Sequence, residues 1–286
     1  MLLLDLLAAS EPLLLLCMGL LGLLVGSFLN VVIYRLPKIM EQRWQQEARD
    51  ILTLEAASAD EALSLSKPAS RCPACGVAIQ PWQNIPVLSW LWMRGRAACC
   101  DTRISARYPL VELLTALTSA ACAWRFGLSL ELAGALLLTW ALIALAFIDL
   151  DTMLLPDDIT LPLLWLGLLF TLFGGFVLLE SAVIGAIAGY LSLWLVFWAF
   201  KLVTGKEGLG YGDFKLLAAL GAWLGWLALP QIILLASLVG AVSGIALIVL
   251  RRQQRGAAMP FGPFLAAAGW LALMGVDVLS PLTGTR

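Results

Sequence analysis

Residues 130–151 read LELAGALLLTWALIALAFIDLD, an apolar run that closes on two aspartates, Asp149 and Asp151. About 20 mostly apolar residues are what an α-helix needs to cross the hydrocarbon core of a bilayer. A carboxylate in the last turn of such a helix faces the negative end of the helix dipole and sits beside hydrocarbon, two unfavourable settings at once. The stretch therefore reads as a membrane span that carries a functional acid.

Similar runs lie at roughly 13–33, 109–125, 159–178, 181–203, 214–229, 231–250 and 262–280, which makes eight spans. Composition agrees. Of 286 residues, 61% are hydrophobic and 13% charged, and the mean hydropathy is +0.93, whereas soluble domains are roughly 25% charged. The expected fold is an all-α polytopic membrane protein. The 214–229 run is short and meets its successor at Pro230, as in a tight hairpin. The first run is not a cleaved signal peptide, because no basic residue precedes it and the small-residue cleavage pattern is missing.

Lys and Arg set the orientation. Ten of the eighteen fall within 35–107, and Lys201, Lys206, Lys215, Arg251, Arg252 and Arg255 flank alternate later spans. With the amino terminus outside, eight crossings put sixteen of the eighteen on the cytoplasmic side and leave Arg125 and Arg286 outside. Three regions follow: a first span over 1–37, a cytoplasmic loop over 38–107, and a seven-helix membrane domain over 108–286. The loop opens on a charged stretch, Glu41 to Leu65, that reads as an amphipathic surface helix. Tryptophans near span ends, such as Trp124, Trp140 and Trp226, read as interfacial anchors.

The chain has no histidine, which removes Ser/His/Asp and Cys/His triads and His-ligated metal hydrolysis together. Its net charge of −1 offers no basic patch for nucleic acid. Chemistry is left to carboxylates, thiols, hydroxyls and amines.

Three acidic sites share the cytoplasmic boundary: Asp149 and Asp151 at the end of the third span, Asp157 and Asp158 at the start of the fourth, and Asp213 at the start of the sixth. Asp157 and Asp158 follow Pro156 and read as helix caps. Asp213 lies in Gly210-Tyr211-Gly212-Asp213-Phe214-Lys215, where the glycines suit a sharp turn or the close approach of another chain. Asp149 and Asp213, 64 positions apart, suit a carboxylate pair that activates water against an amide. Lys215 is a candidate compensating donor. Ion transport and purely structural pairing are the other readings of the same acids.

The loop carries Cys72-Pro73-Ala74-Cys75-Gly76, followed by Cys99 and Cys100. Two thiol turns about 20 to 25 residues apart can close a tetrahedral, all-sulfur zinc site, and a reducing cytoplasm disfavours disulfides. A regular second turn ending at Cys100 would need a cysteine at 97, where the chain has Ala97. Cys99 standing in, three thiolates with a borrowed ligand, and an empty loop of reactive thiols are all open. Cys17 and Cys122 lie inside apolar runs and read as small hydrophobes.

Taken in order, Gly26 to Pro37 (GSFLNVVIYRLP), Asn84-Ile85-Pro86, Ile104 to Glu112 (ISARYPLVE), the acidic motifs, Gly210 to Lys215 and Pro260-Phe261-Gly262-Pro263 resemble the type IV prepilin peptidases. These belong to the glycine-x-glycine-Asp aspartic intramembrane proteases. The resemblance covers nearly the whole chain. It implies a bifunctional inner-membrane enzyme that cuts the leader from type IV prepilins and type II secretion pseudopilins at the cytoplasmic face, at a Gly/Phe-type junction. The new amino terminus is then methylated with S-adenosylmethionine. Asp149 and Asp213 occupy the family's catalytic positions, with Gly210, Gly212 and Lys215 beside them. Asn30, Arg35 and Gly95 are candidates for the methyltransferase, which the family associates with the amino-terminal loop region. Ala97 departs from the family's cysteine pattern.

Two rival classes remain in view. An ion-coupled transporter predicts acids near the bilayer midplane and internal repeats, and neither is evident. A non-enzymatic assembly scaffold leaves Asp149 and the double-glycine turn without a purpose.

Overall fold

In the computed structural model, residues 2–53, 63–72, 74–206, 208–250 and 259–277 are described. Part of the expected surface helix (54–62), the basic cluster at 251–255 and the end of the last expected span fall outside them. Ten α-helices form among the described residues: α1 (Leu2–Ala9), α2 (Glu11–Ile51), α3 (Leu88–Trp92), α4 (Arg107–Phe126), α5 (Leu130–Thr152), α6 (Asp157–Leu172), α7 (Leu179–Thr204), α8 (Tyr211–Leu224), α9 (Leu229–Val249) and α10 (Gly262–Leu273). There is no strand among the described residues, only isolated bridges Arg71↔Ala78 and Arg96↔Arg103.

Each of the eight apolar runs holds a helix among its described residues, though those of 159–178, 214–229 and 262–280 end before the run does. Helices α2, α5 and α7, and α9 with the 3₁₀ turn before it, are long and apolar enough to cross a membrane. The exposed surface of α7 and α9 is apolar, including Leu195, Val203, Leu238 and Ile245, which suits lipid rather than water. The first run does not stop where its hydrophobicity does. Helix α2 continues through Pro37 into the charged stretch and ends only at Ile51, so Glu41 onward extends the first span rather than starting a separate surface helix.

The chain divides into two compact units, 1–128 and 129–286. The sequence reading placed the helix over 107–126 with the later spans, but its packing assigns it to the first unit. There α2 and α4 pack through Gly22 and Gly26. A Cβ at either position would lie 2.7 Å from backbone of α4, at Ala116 and Glu112 respectively. Small residues at this spacing let two helices approach closely without competing for a hydrophobic driving force that lipid does not supply.

In the second unit the same device joins α7 to α8, where Gly185 and Gly221 meet backbone to backbone. Trp223 fixes α8 to α6: its indole N–H donates to the Leu163 carbonyl at 2.8 Å, and its ring stacks on Phe170 at 5.2 Å. Helix α5 starts at a Ser129 cap, whose Oγ accepts from the Leu132 N–H at 3.1 Å. It ends at Met153, in the left-handed conformation, with the Met153 N–H on the Asp149 carbonyl at 2.9 Å. The chain therefore turns within one helical turn of Asp149.

Candidate functional site

Three helix ends of the second unit meet around two buried acids. Asp149 comes from the last turn of α5 and Asp213 from the first turn of α8. The amino end of α10 supplies Gly262, whose N–H donates to Asp149 Oδ2 at 2.9 Å. Asp213 reaches back along its own helix and accepts the Gly210 N–H on Oδ2 at 3.2 Å. Both contacts put a carboxylate against the positive end of a helix, where negative charge is favoured. The two acids are close enough for the charge of Asp149 to act on Asp213. In each, one oxygen is held by a backbone N–H, and among the described residues the other makes no hydrogen bond.

Leu155, in the turn between α5 and α6, packs between the glycines of the other two elements. A Cβ on Gly212 would lie 2.7 Å from Leu155 Cβ, and one on Gly262 would lie 2.7 Å from Asp149 Oδ2 and 3.0 Å from Leu155 Cδ2. Gly212 therefore serves close approach, as its motif suggested. Behind Asp213, Phe214 is buried among Tyr190, Phe197 and Tyr211, with ring centroids 5.4–5.8 Å from its own.

Two expectations about this region change. Lys215 is not brought to the acid pair; its Nζ donates to both oxygens of Asp157 at 2.7 Å. Asp157 is not the N-cap of α6, since Pro156 holds that position and Asp157 and Asp158 stand inside the first turn. Its carboxylate is taken by the lysine instead. Gly262 and Leu155 were not read as site residues. Gly262 was visible only as part of the Pro260 to Pro263 motif, since nothing in the spacing couples it to an acid 113 positions away.

The thiols form a second constellation, in the first unit. Sγ atoms of Cys72, Cys75, Cys99 and Cys100 all lie within 4.8 Å of one another. Two turns of the same design present them. In the first, the Cys72 N–H donates to the Val77 carbonyl at 2.8 Å and the Gly76 N–H to the Cys72 carbonyl at 2.9 Å. In the second, the Ala97 N–H donates to the Thr102 carbonyl at 2.8 Å and the Asp101 N–H to the Ala97 carbonyl at 2.9 Å. One bridged pair, Arg71–Ala78 or Arg96–Arg103, closes each turn. Gly76 and Asp101, both at positive φ, match each other, and so do Cys72 and Ala97. Cys99 thus occupies the third position of its turn and still brings its sulfur into the group, 3.2 Å from Cys75 Sγ.

Backbone N–H groups of Cys75 and Ala74 pull the Cys72 thiol down to about 6, and the Thr102 hydroxyl and N–H lower Cys100. Cys99, hydrogen-bonded to Cys75, is pushed up to about 12. The cluster is a set of soft donors that could hold a metal ion.

The methyltransferase candidates, all in the first unit, are occupied by the chain's own backbone. The Asn30 amide donates to the Tyr108 carbonyl at 3.1 Å. Arg35 donates to the carbonyls of Ser64, Leu65 and Pro68. Gly95, at φ +68°, fits beneath the Trp90 ring, 2.9 Å from where a Cβ would sit.

Comparison with known proteins decides the family. Residues 20–126 match the model of the bacterial peptidase A24 N-terminal domain, and 136–245 match that of the type IV leader peptidase family. A prepilin leader peptidase/N-methyltransferase of Aeromonas hydrophila is 60% identical over 91% of this chain and 90% of its own. That of Pseudomonas aeruginosa is 55% identical over 97% and 96%, and that of Neisseria gonorrhoeae 54% over 90% and 89%. The chain belongs to the type IV prepilin peptidase family. No solved structure matches it. Membership makes the chain a membrane protease, and its relatives' names join that activity to an N-methyltransferase. The two family models fall on the two units. The leader peptidase match holds both acids, and the N-terminal match holds all four clustered cysteines.

Proposed function

We propose that the chain is an aspartic prepilin peptidase and N-methyltransferase of the bacterial inner membrane, with Asp149 and Asp213 as its catalytic pair. Two carboxylates that meet over a substrate hold one proton between them and titrate as a unit. The ionised member takes a proton from a bound water as its oxygen attacks the scissile carbonyl. The protonated member gives its proton to the carbonyl oxygen. Collapse of the tetrahedral intermediate, with a proton passed to the leaving nitrogen, releases leader and mature pilin. Gly262 and Gly210 orient the acids through their N–H groups, and Gly212 admits Leu155 beside them. The observation that carries this reading is the pair of buried acids, each with one oxygen tied to a backbone N–H.

The substrates are type IV prepilins and type II secretion pseudopilins, cut at the cytoplasmic face while the apolar pilin helix remains in the bilayer. Eight spans with the amino terminus outside put both acids at that face. The four thiols suit a structural Zn2+: an ion ligated wholly by sulfur adds little Lewis acidity and holds the loop together. S-adenosylmethionine supplies the methyl group. Asn30, Arg35 and Gly95 remain the residues proposed to lie at its site, beside the internal hydrogen bonds that Asn30 and Arg35 make.

Purified protein given a prepilin in detergent should shorten it and then transfer a labelled methyl group to the product. Well-inserted protein that does neither would refute the reading. The family match and the buried acid pair leave transport and scaffolding without a specific observation in their favour.

A further inference from the structure

From Ala62 to Cys100 the chain has no acidic residue, yet it carries Lys67, Arg71, Arg94 and Arg96. Within this segment α3 exposes Leu88, Leu91 and Trp92, at i, i+3 and i+4, to the extent of 65%, 58% and 87%. Trp82 and Ile85, just before it, are exposed as well. A water-facing loop has no use for such a face. The depth of α3 is set by its first hydrogen bond. The N–H of Val87, the residue just before α3, donates to Glu112 Oε2 at 2.8 Å, and Val87 is held at φ +60°, unusual for a β-branched residue. Glu112 lies past the start of the apolar run of α4, with its Cα against Gly26 of α2. Leu110, Leu113 and Leu117 of α4 are exposed in the same unit.

We infer that α3 and the turn before it lie in the interfacial layer of the bilayer, as a lipid-facing anchor for the loop that carries the cysteine cluster. Trp and Leu on one face, with arginines after them and no acid between Ala62 and Cys100, is the composition that seats a short helix among headgroups and favours anionic lipid. Trp92 and Leu91 point into the acyl boundary while Arg94 meets phosphates; Arg96 is paired with Asp101. The inference rests on α2 and α4 being spans, and the test separates the two.

Full-length protein with p-benzoylphenylalanine replacing Trp92 is reconstituted into vesicles of phosphatidylethanolamine and phosphatidylglycerol, irradiated, and its adducts are weighed by mass spectrometry. Parallel samples carry the probe at Leu117, exposed on α4, and at Gln45, on the charged extension of α2. Lipid adducts at 92 and 117 with none at 45 are expected. Lipid adducts at 117 with none at 92, or a protein adduct at 92, would overturn the anchor. Failure at 117 would remove α4 from the membrane and the anchor with it. An aromatic replacement at so exposed a position leaves packing intact.

Discussion

Asp149 is positioned by a residue far from it in sequence, and that dependence can be measured. A methyl group on Gly262 would meet Asp149 Oδ2 and Leu155. Gly262→Ala should therefore move the carboxylate while keeping the N–H. A displacement of about 1 Å at reacting groups costs on the order of 10²-fold in rate, so kcat for leader cleavage should fall by about that factor with little change in melting temperature. Lys215 gives the opposite expectation. Its ion pair with Asp157 is substantially exposed, with 29% and 52% of the two side chains accessible, and such pairs contribute about 0–1 kcal/mol. Lys215→Met should shift stability by no more than that in a thermal melt and should leave cleavage measurable. Asp149 and Asp213 were legible in the sequence because each breaks a local rule, an acid at a helix end beside hydrocarbon and an acid after two glycines. Gly262 and Leu155 break none. Their role arises only when three helix ends converge.

The eight apolar runs were legible as helices because apolar length alone dictates them in a chain of this composition. The extension of α2 past Pro37 was not, since proline inside a helix ordinarily predicts a break. Packing between elements is equally hidden. Gly221→Leu would drive a side chain into the Gly185 backbone. Overpacking of this kind costs about 1–3 kcal/mol, and cleavage should drop with stability because α8 also carries Asp213. The thiol turns yield a sharper expectation. Ala97 stands where Cys72 stands in the first turn, so Ala97→Cys should restore a regular site and make Cys99 dispensable. The double variant Ala97→Cys with Cys99→Ser should retain zinc on metal analysis, and Cys99→Ser alone should lose it. Retention by the single variant would show that three thiolates suffice. Proton release gives an independent check. With its thiol near 12, Cys99 is protonated at neutral pH, whereas Cys72, near 6, is largely a thiolate. Zinc loading at pH 7 should therefore release protons, and affinity should weaken as pH falls and thiolates are reprotonated.

At the scale of the molecule, two units carry two chemistries, acids in one and thiols in the other. Removing the metal should loosen the loop first. A chelator should increase proteolysis within 63–103 while leader cleavage persists in the same sample. The central claim is that Asp149 and Asp213 act as one catalytic unit, and groups that act as a unit are strongly non-additive. The most direct measurement is the cleavage rate of a prepilin by Asp149→Asn, Asp213→Asn and the double variant, each shown to be inserted normally. Both single variants should fall to background, with nothing further lost in the double. Undiminished cleavage by either single variant, or losses that simply multiply in the double, would contradict the account.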